Sequence, residues 1–286
     1  MNLKTSIARL CEKVGMSRQN YYKGHQNRNA RRVDADLIEE LVKAERAVQP
    51  RLGGKKLYVV LKPNLEEAKV RIGRDRFFKV LGEKGLLLDP LPKAPRTTNS
   101  RHYLPVFTNQ FKDMELTKPN EAWVSDITYI RTDEGFLYLS LITDAYSRKI
   151  VGFHAGDTLE TEGCLNALEK AVKELVEGQL PLHHSDRGSQ YCSHLYTGQL
   201  REHGLGISMT EENHCYENAK AERVNGILKQ EYGLGSTFRT KEQAIDSVDQ
   251  AVLLYNTRRP HLSLKYKTPE YIHKESEKGL FSDVRF

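Results

Sequence analysis

Three acidic residues, Asp126, Asp186 and Glu222, are set apart by their surroundings. Asp126 sits inside AWVSDITYI, a run rich in apolar, aromatic and β-branched residues. Asp186 follows a short apolar stretch in HHSDRGSQY, and Glu222 lies in HCYENAKAERVNGILKQEY. Between the first two acids lie 59 residues, and between the second and third lie 35. An acid within an apolar strand costs energy unless it is paired or bound to metal. Carboxylates are hard oxygen ligands suited to Mg²⁺ or Mn²⁺, and such a site needs few of them because water and phosphate complete the shells. Two such ions, about 3.5–4 Å apart, clamp the attacking and leaving oxygens of an in-line phosphodiester displacement. The three acids are therefore read as one metal site for that chemistry, with Asp126 as the bridging ligand.

The stretch carrying Glu222 has helical phase. Asn218, Glu222, Asn225 and Lys229 recur at i, i+4, i+7 and i+11 and so share a face, while Ala221, Val224, Ile227 and Leu228 fill the other sides. Lys229 is a candidate for a terminal phosphate, and Asn218 and Asn225 for DNA or for support of the metal ligands. Bland readings stand beside these. The polar face can simply be solvated, and Asp186 can be a turn residue before Arg187-Gly188. Asp144 is a possible fourth acid and reads better as structural, paired with Arg148. His183, His184, His194, His203 and His214 match no zinc spacing.

The elements that must position these residues follow in order. Residues 5–24 read as helix, Gly15 turn and a second helix capped by Ser17, a helix-turn-helix layout. A helix follows over 34–50, then a short one over 55–61 ending before Pro63, then one over 73–85 with Phe77, Val80 and Leu81 inward. Arg74, Arg76 and Lys79 on the last are candidate DNA contacts. Residues 1–88 are thus a small helical DNA-binding region. Residues 89–121 are a basic linker interrupted by Pro90, Pro92, Pro95, Pro105 and Pro119. From Ala122 the periodicity changes to strands: AWVSDITYI, FLYLSLITDAYS and KIVGFHAG form an antiparallel meander. A helix over 161–177, a strand over 181–184, a helix over 194–203, the strand GISM and the Glu222 helix complete residues 122–239. The order β-β-β-α-β-α-β-α predicts an α/β fold of RNase H-like type, a mixed five-stranded sheet flanked by helices. Residues 211–216 read as polar and mobile. Residues 240–286 read as a helix over 241–256 and a basic tail, with Arg187, Arg258 and Arg259 as further candidate DNA contacts and 275–286 frayed.

Composition agrees with a nucleic-acid partner. Residues 1–121 carry 25 Lys and Arg against 14 Asp and Glu, whereas 122–286 carry 19 against 24. A basic front half attracts a polyanion. With 38% hydrophobic residues the chain can bury a core, and no apolar run of membrane-spanning length occurs. The start lacks the apolar segment of a secretory signal. Four scattered cysteines without a CxxC pair suit reduced thiols in a cytosol.

WVSDITYI, DAYSRKIVGF, HSDRGSQY, the helix carrying NAKAE, and YNTRRPHLSLKYKTPEYI occur in the order that resembles the DDE integrase core of bacterial insertion-sequence transposases. The resemblance is to the OrfB type of the insertion-sequence-three family, related to retroviral integrases, and it is dense over 105–272. LCEKVGMSRQNYYK is the best-matching piece of the front. The resemblance implies Asp126, Asp186 and Glu222 as catalytic acids, two Mg²⁺ or Mn²⁺ ions with DNA bound, and transposon-end and target duplexes as substrates. It implies attack by water at the element's 3′ end, then transesterification by the freed 3′-hydroxyl without ATP, through a branched figure-of-eight and a circle. It further implies a homo-oligomer on DNA, bacterial cytoplasm at the nucleoid, and in many members a frameshift fusion to an upstream helix-turn-helix frame. Glu217 and Arg223-Val224 depart from the family's Asp and Ser-aromatic, which bears on end contacts and not on metal ligands.

Two alternatives remain at this level. An RNase H-like nuclease would cut without joining, and a regulatory relic would bind DNA without turnover.

Overall fold

The computed structural model describes residues 6–89, 103–211 and 218–277. The chain divides into two compact units, residues 1–48 with 53–88, and residues 49–52 with 89–286. Most of the linker's proline-rich part, the 212–217 segment and the last nine residues lie outside the described residues. Among the described residues no helix is long and apolar enough to cross a membrane.

The first unit is helical. α1 (Ile7–Lys13) ends at Gly15, whose φ is +65°, and Ser17 Oγ caps the next helix by accepting from Asn20 N–H at 3.1 Å. That helix, α2, runs unbroken over Arg18–Val48. The two helices expected over 17–24 and 34–50 are therefore one. The polar residues between them include no proline, and one Gly24 lowers helix propensity by only about 1 kcal/mol. α3 (Gly54–Glu67) likewise runs through Pro63, where a stop was expected. Leu57, Leu61 and Leu65, buried at i, i+4 and i+8, hold the turns on both sides of the missing donor. α4 (Arg74–Glu83) buries Phe77, Val80 and Leu81 as expected.

The second unit is a mixed sheet between two helical layers. β1 (Ala122–Thr132), β2 (Gly135–Asp144) and β3 (Ile150–Gly156) form the antiparallel meander. β4 (Leu182–Ser185) lies parallel to β1, and β5 (Gly206–Met209) parallel to β4, giving the order β3-β2-β1-β4-β5. A two-residue strand, β6 (Thr237–Phe238), was not anticipated; it pairs in parallel with Arg131 and Thr132 at the far end of β1. α5 (Thr161–Lys173), α6 (Ser189–Cys192) and α7 (His194–Glu202) cover one face, packing Cys164, Ala167, Tyr191, Tyr196 and Leu200 against Trp123 and Ile142. α8 (Ala219–Glu231) and α9 (Lys241–Thr257) cover the other, packing Val224, Leu228, Val248 and Tyr255 against Ile130, Leu139 and Leu141. Asn256 on α9 holds β3 with both ends of its amide, accepting from Ile150 N–H and donating to Ile150 C=O, each at 2.9 Å. A 3-10 turn over Leu262–Leu264 and α10 (Pro269–Glu277) follow; the sequence reading has only a compact tail there.

The α5 layer sits close to the sheet at Gly152. A Cβ there would overlap the Ala167 carbonyl oxygen and come within 2.8 Å of the Ala171 Cβ. Gly152→Ala is therefore expected to destabilise the protein by about 1–3 kcal/mol in denaturant unfolding. Gly198→Ala, on α7 with open space around the new methyl, is expected to be neutral or to stabilise by up to about 1 kcal/mol. Equal effects at the two positions would contradict this packing.

Candidate active site

Strand register brings the first two acids together. β1 pairs with β4 in parallel up to Ser125↔Ser185, and Asp126 and Asp186 are the next residues of each chain. Neighbouring strands are about 4.8 Å apart, so the two carboxylates start side by side. Beyond this point β4 ends, and among the described residues β1 has no strand on that edge until β6 meets Arg131. Asp126 thus stands in mid-β1 where β4 parts from it, beside the carboxyl end of β4, the end at which open α/β sheets bind ligands. The Asp186 turn is tight: Asp186 Oδ1 accepts from Gly188 N–H at 2.9 Å, and a Cβ on Gly188 would stand 3.0 Å from the same oxygen.

Strand alternation sets the direction of each side chain. Ser125 faces the α5–α7 layer, where its Oγ lies 2.7 Å from His183 Nε2, itself 2.8 Å from Tyr196 OH. Burial first, then neighbouring His184, pushes His183 down to about 3, so it is neutral and serves the core. Asp126 faces the opposite layer, under α8. There Asn225 Nδ2 donates to Asp126 Oδ2 at 2.7 Å, while Ile127 N–H donates to Oδ1 at 2.9 Å. Two turns earlier Asn218, the residue before α8, donates from Nδ2 to the Ser125 carbonyl at 3.0 Å. Two buried amides therefore fasten α8 to β1 on either side of Glu222. The polar stripe of α8 is in large part turned into the sheet, not solvated as the bland reading has it.

Glu222 itself is exposed in the first turn of α8, where the helix dipole favours a carboxylate. It is near enough to act on Asp126. Burial above all, then the Asp186 charge, and finally Glu222 raise Asp126 to about 7, against the opposing hydrogen bonds from Asn225 and Ile127. Among the described residues no three acid, histidine or cysteine side chains form a ready-made metal cage. What the site has is two adjacent carboxylates, a third within electrostatic reach, and two buried amide oxygens, Asn218 Oδ1 and Asn225 Oδ1, without hydrogen-bond partners. All are hard oxygen donors, and a divalent cation would offset both the burial and the repulsion that raise the Asp126 pKa. The residues fit such an ion.

The other candidates divide by environment. Lys229 Nζ lies 4.3 Å over the Tyr129 ring, half-buried; burial lowers its pKa, Asp126 raises it and Arg131 lowers it. Arg187 Nε donates to the Thr210 carbonyl at 2.7 Å, tying the Asp186 turn to the end of β5. Arg258 is exposed at the end of α9. Arg74, Arg76 and Lys79 are exposed on α4, Arg74 beside Asp75 and the other two in loose pairs with Glu83. Arg259 does not fit the expected role. It is 2% exposed, forks onto both oxygens of Glu231 at 2.8 Å, and has His261 Nε2 2.9 Å from Nη1. Its partner lies 28 residues away, so no local sequence signal announces the pair. Asp144 is structural: its carboxyl accepts from Asn120 N–H, Ser147 N–H and Ser147 Oγ, and although burial raises its pKa, the expected Arg148 acts on it through its charge, without a hydrogen bond.

Two profiles, each described as an integrase core domain, match residues 117–215 and 203–269. The 31 kDa protein of insertion element IS600 from Shigella sonnei is 33% identical over 264 residues, covering 91% of this chain and 96% of that protein. The chain belongs to the transposases of the insertion-sequence-three family. The IS629 transposase of Shigella sonnei is 28% identical, over 97% of this chain and 93% of its own. The catalytic core domain of HTLV-2 integrase, solved in complex with magnesium, is similar in structure with a TM-score of 0.44 and 19% identity, over 55% of this chain and 97% of that one. As a family member this chain is a DNA transposase, a DDE polynucleotidyl transferase that uses a divalent metal.

The raised Asp126 pKa has a stability consequence for the transposase. An acid whose folded pKa lies above its unfolded value, near 4, stabilises the fold less and less as pH rises from about 4 through about 7. Asp126→Asn keeps an acceptor for Asn225 and removes the charge. At pH 8 with chelator it is expected to raise the melting temperature by about 2–6 °C, corresponding to on the order of 1–2 kcal/mol for a partly solvated group. A lowered melting temperature would contradict the electrostatic account of the site.

Proposed function

We propose that Asp126, Asp186 and Glu222 are the catalytic acids of this transposase and together hold two divalent ions, Mg²⁺ or Mn²⁺, when DNA is bound. The observation that carries the reading is the register Ser125↔Ser185, which sets Asp126 beside Asp186 under a helix carrying Glu222. Asp126, on which both other acids act, would be the ligand shared between them. When bound, the ions supply the Lewis acidity that activates the attacking oxygen and stabilises the leaving one. The protein's own part is to orient and to screen. Asn225 fixes the Asp126 rotamer, Asn218 fixes the start of α8 and hence Glu222, and the Gly188 turn fixes Asp186. Such supporting contacts are worth about 10–100-fold in metal affinity or activity. Lys229, over the Tyr129 ring and within reach of the Asp126 charge, would take a terminal phosphate.

The reaction comprises hydrolysis of one phosphodiester at the element's 3′ end and then attack of the freed 3′-hydroxyl on a target phosphodiester. One phosphate ester replaces another in the second step, so no ATP is needed. Exposed Arg74, Arg76, Lys79 and Arg258 are the remaining surface contacts for duplex DNA; Arg259 is not among them. A homo-oligomer on paired ends, and fusion to an upstream helix-turn-helix product, complete the proposed assembly.

The test is a strand-transfer reaction with purified chain, Mg²⁺ and a labelled duplex ending in the native element end. Glu222→Gln is expected to lower joining by at least about 100-fold, since it removes a ligand that stabilises the transition state. Wild-type activity in that variant would contradict the assignment of Glu222, and cleavage without joined product would favour the nuclease alternative. Asn225→Ala is expected to lower joining about 10–100-fold, with part of the loss recovered at higher Mg²⁺. A loss indifferent to Mg²⁺ would contradict a supporting role for Asn225.

A further inference from the structure

The segment that leads into β1 is more than a linker. Leu104 and Phe107 pack against the α5–α7 cluster, with the Arg201 guanidinium 5.6 Å over the Phe107 ring, whereas Phe111, Met114 and Leu116 pack on the α8 side of the sheet. The segment therefore passes from one face to the other around β5, the edge strand. Its turn at that edge is pinned. Asn109 Oδ1 accepts from Phe111 N–H and Lys112 N–H, each at 3.1 Å, and Gln110 N–H donates to Ser208 Oγ on β5 at 2.9 Å. Ser208 Oγ in turn lies 2.9 Å from His184 Nδ1 on β4. A backbone held at three successive residues fixes where the Phe111 side chain points.

Phe111 connects the strand of one acid to the helix of another. His184, two residues before Asp186, pairs with Val124 and so faces the α8 side, as Asp126 does. Its ring centroid is 4.9 Å from that of Phe111, with the planes 31° apart. From α8, Ala221, the residue before Glu222, packs in the same apolar cluster as Phe111, and Lys220 Nζ lies 5.1 Å over the ring. The ring thus bridges β4 to the first turn of α8, while Asn218 and Asn225 tie the same helix to β1. Glu222 itself is exposed, so its place is set by the backbone of that turn.

We propose that Phe111 is a positioning residue of the carboxylate site: it sets the separation of Glu222 on α8 from Asp186 on β4, as Asn218 and Asn225 set that of α8 from Asp126. The proposal rests on the assignment of the three acids given above. Phe111 acts through the helix, and not by contact with DNA or metal. Groups that share a reacting centre must be held to within about 0.5 Å, and a misplacement of about 1 Å costs on the order of 100-fold in rate. Truncating the ring leaves a void beside the start of α8, the turn whose first N–H groups have no partner within the helix. Slack introduced there moves Glu222 and leaves the two aspartates where the strands put them.

The test reads the helix and the reaction separately. Hydrogen exchange of the Arg223, Val224 and Asn225 amides, which close the first turns of α8, is followed by NMR in the full chain without DNA or metal. In Phe111→Ala these amides are expected to exchange at least about 10-fold faster, while those of α5 keep their wild-type rates. Strand transfer by the same variant is expected to fall about 10–100-fold at limiting Mg²⁺, with part of the loss regained at higher Mg²⁺. Phe111→Tyr keeps the ring and is expected to match the wild type in both readouts. Phe111→Leu keeps most of the bulk and is expected to lie between; it is the variant to read should the alanine form fail to fold. Phe107→Ala removes a ring from the same segment on the opposite face, and is expected to change neither the α8 exchange nor the Mg²⁺ requirement. Exchange raised equally in α5 and α8, or an unchanged Mg²⁺ requirement in Phe111→Ala, overturns the positioning role and leaves the transposase reading standing. Glu222→Gln as active as the wild type overturns the assignment of the acids, and the role of Phe111 with it.

Discussion

The parallel pairing of β1 with β4 is the constraint on which the site depends. It ends at Ser125↔Ser185, and each strand's next residue is an acid. Nothing in the local sequence of either strand requires two carboxylates to meet; the register does. A slip of one residue would send Asp126 to the α5–α7 face, among Trp123, Ile142 and Tyr196, where it would be a buried charge without a counterion. The apolar alternation of AWVSDITYI, with Trp123 and Val124 filling opposite faces, fixes the register and so the chemistry.

Bringing the acids together has a cost, and the surrounding layers are arranged to carry it. Burial above all, and then the neighbouring acids, raise the Asp126 pKa and weaken the metal-free fold. Against this stand two well-packed faces, the neutral Ser125–His183–Tyr196 chain beneath the site, and the amides of Asn218 and Asn225 above it. These amides do two things at once. They anchor α8, and Asn225 orients the Asp126 carboxylate. The orphaned buried Oδ1 of each and the raised pKa of Asp126 lie together on β1 and α8.

Much of this was legible in the residues. The switch from helical to strand periodicity at Ala122, the meander, and the phase of the Glu222 helix all read directly, because each is a local pattern of three or more repeats. The adjacency of Asp126 and Asp186 was legible only given a sheet order, which the element sequence β-β-β-α-β-α-β-α suggested and the pairing of β1 with β4 bears out. The failures have physical reasons. α2 runs through a polar stretch that reads as a break, since residues exposed there, such as Lys23, Arg31 and Arg32, need no apolar stripe to stay helical. β6 has two residues, too few for any period. Arg259 sits in a basic tail and reads as a surface charge, yet its fork onto Glu231 is a tertiary pair with no local signature. α10 carried a readable signal, Thr268 before Pro269, with the Thr268 hydroxyl accepting from Tyr271 N–H at 3.3 Å.

The central claim is that three carboxylates form one electrostatic unit awaiting a divalent cation. The measurement that tests it most directly is the titration of the Asp126 carboxyl carbon by NMR, with and without Mg²⁺. The account predicts a pKa of about 7 without metal, falling by at least about two units when Mg²⁺ is added. An Asp126 that titrates near 4 in the absence of metal, and does not respond to Mg²⁺, would contradict it.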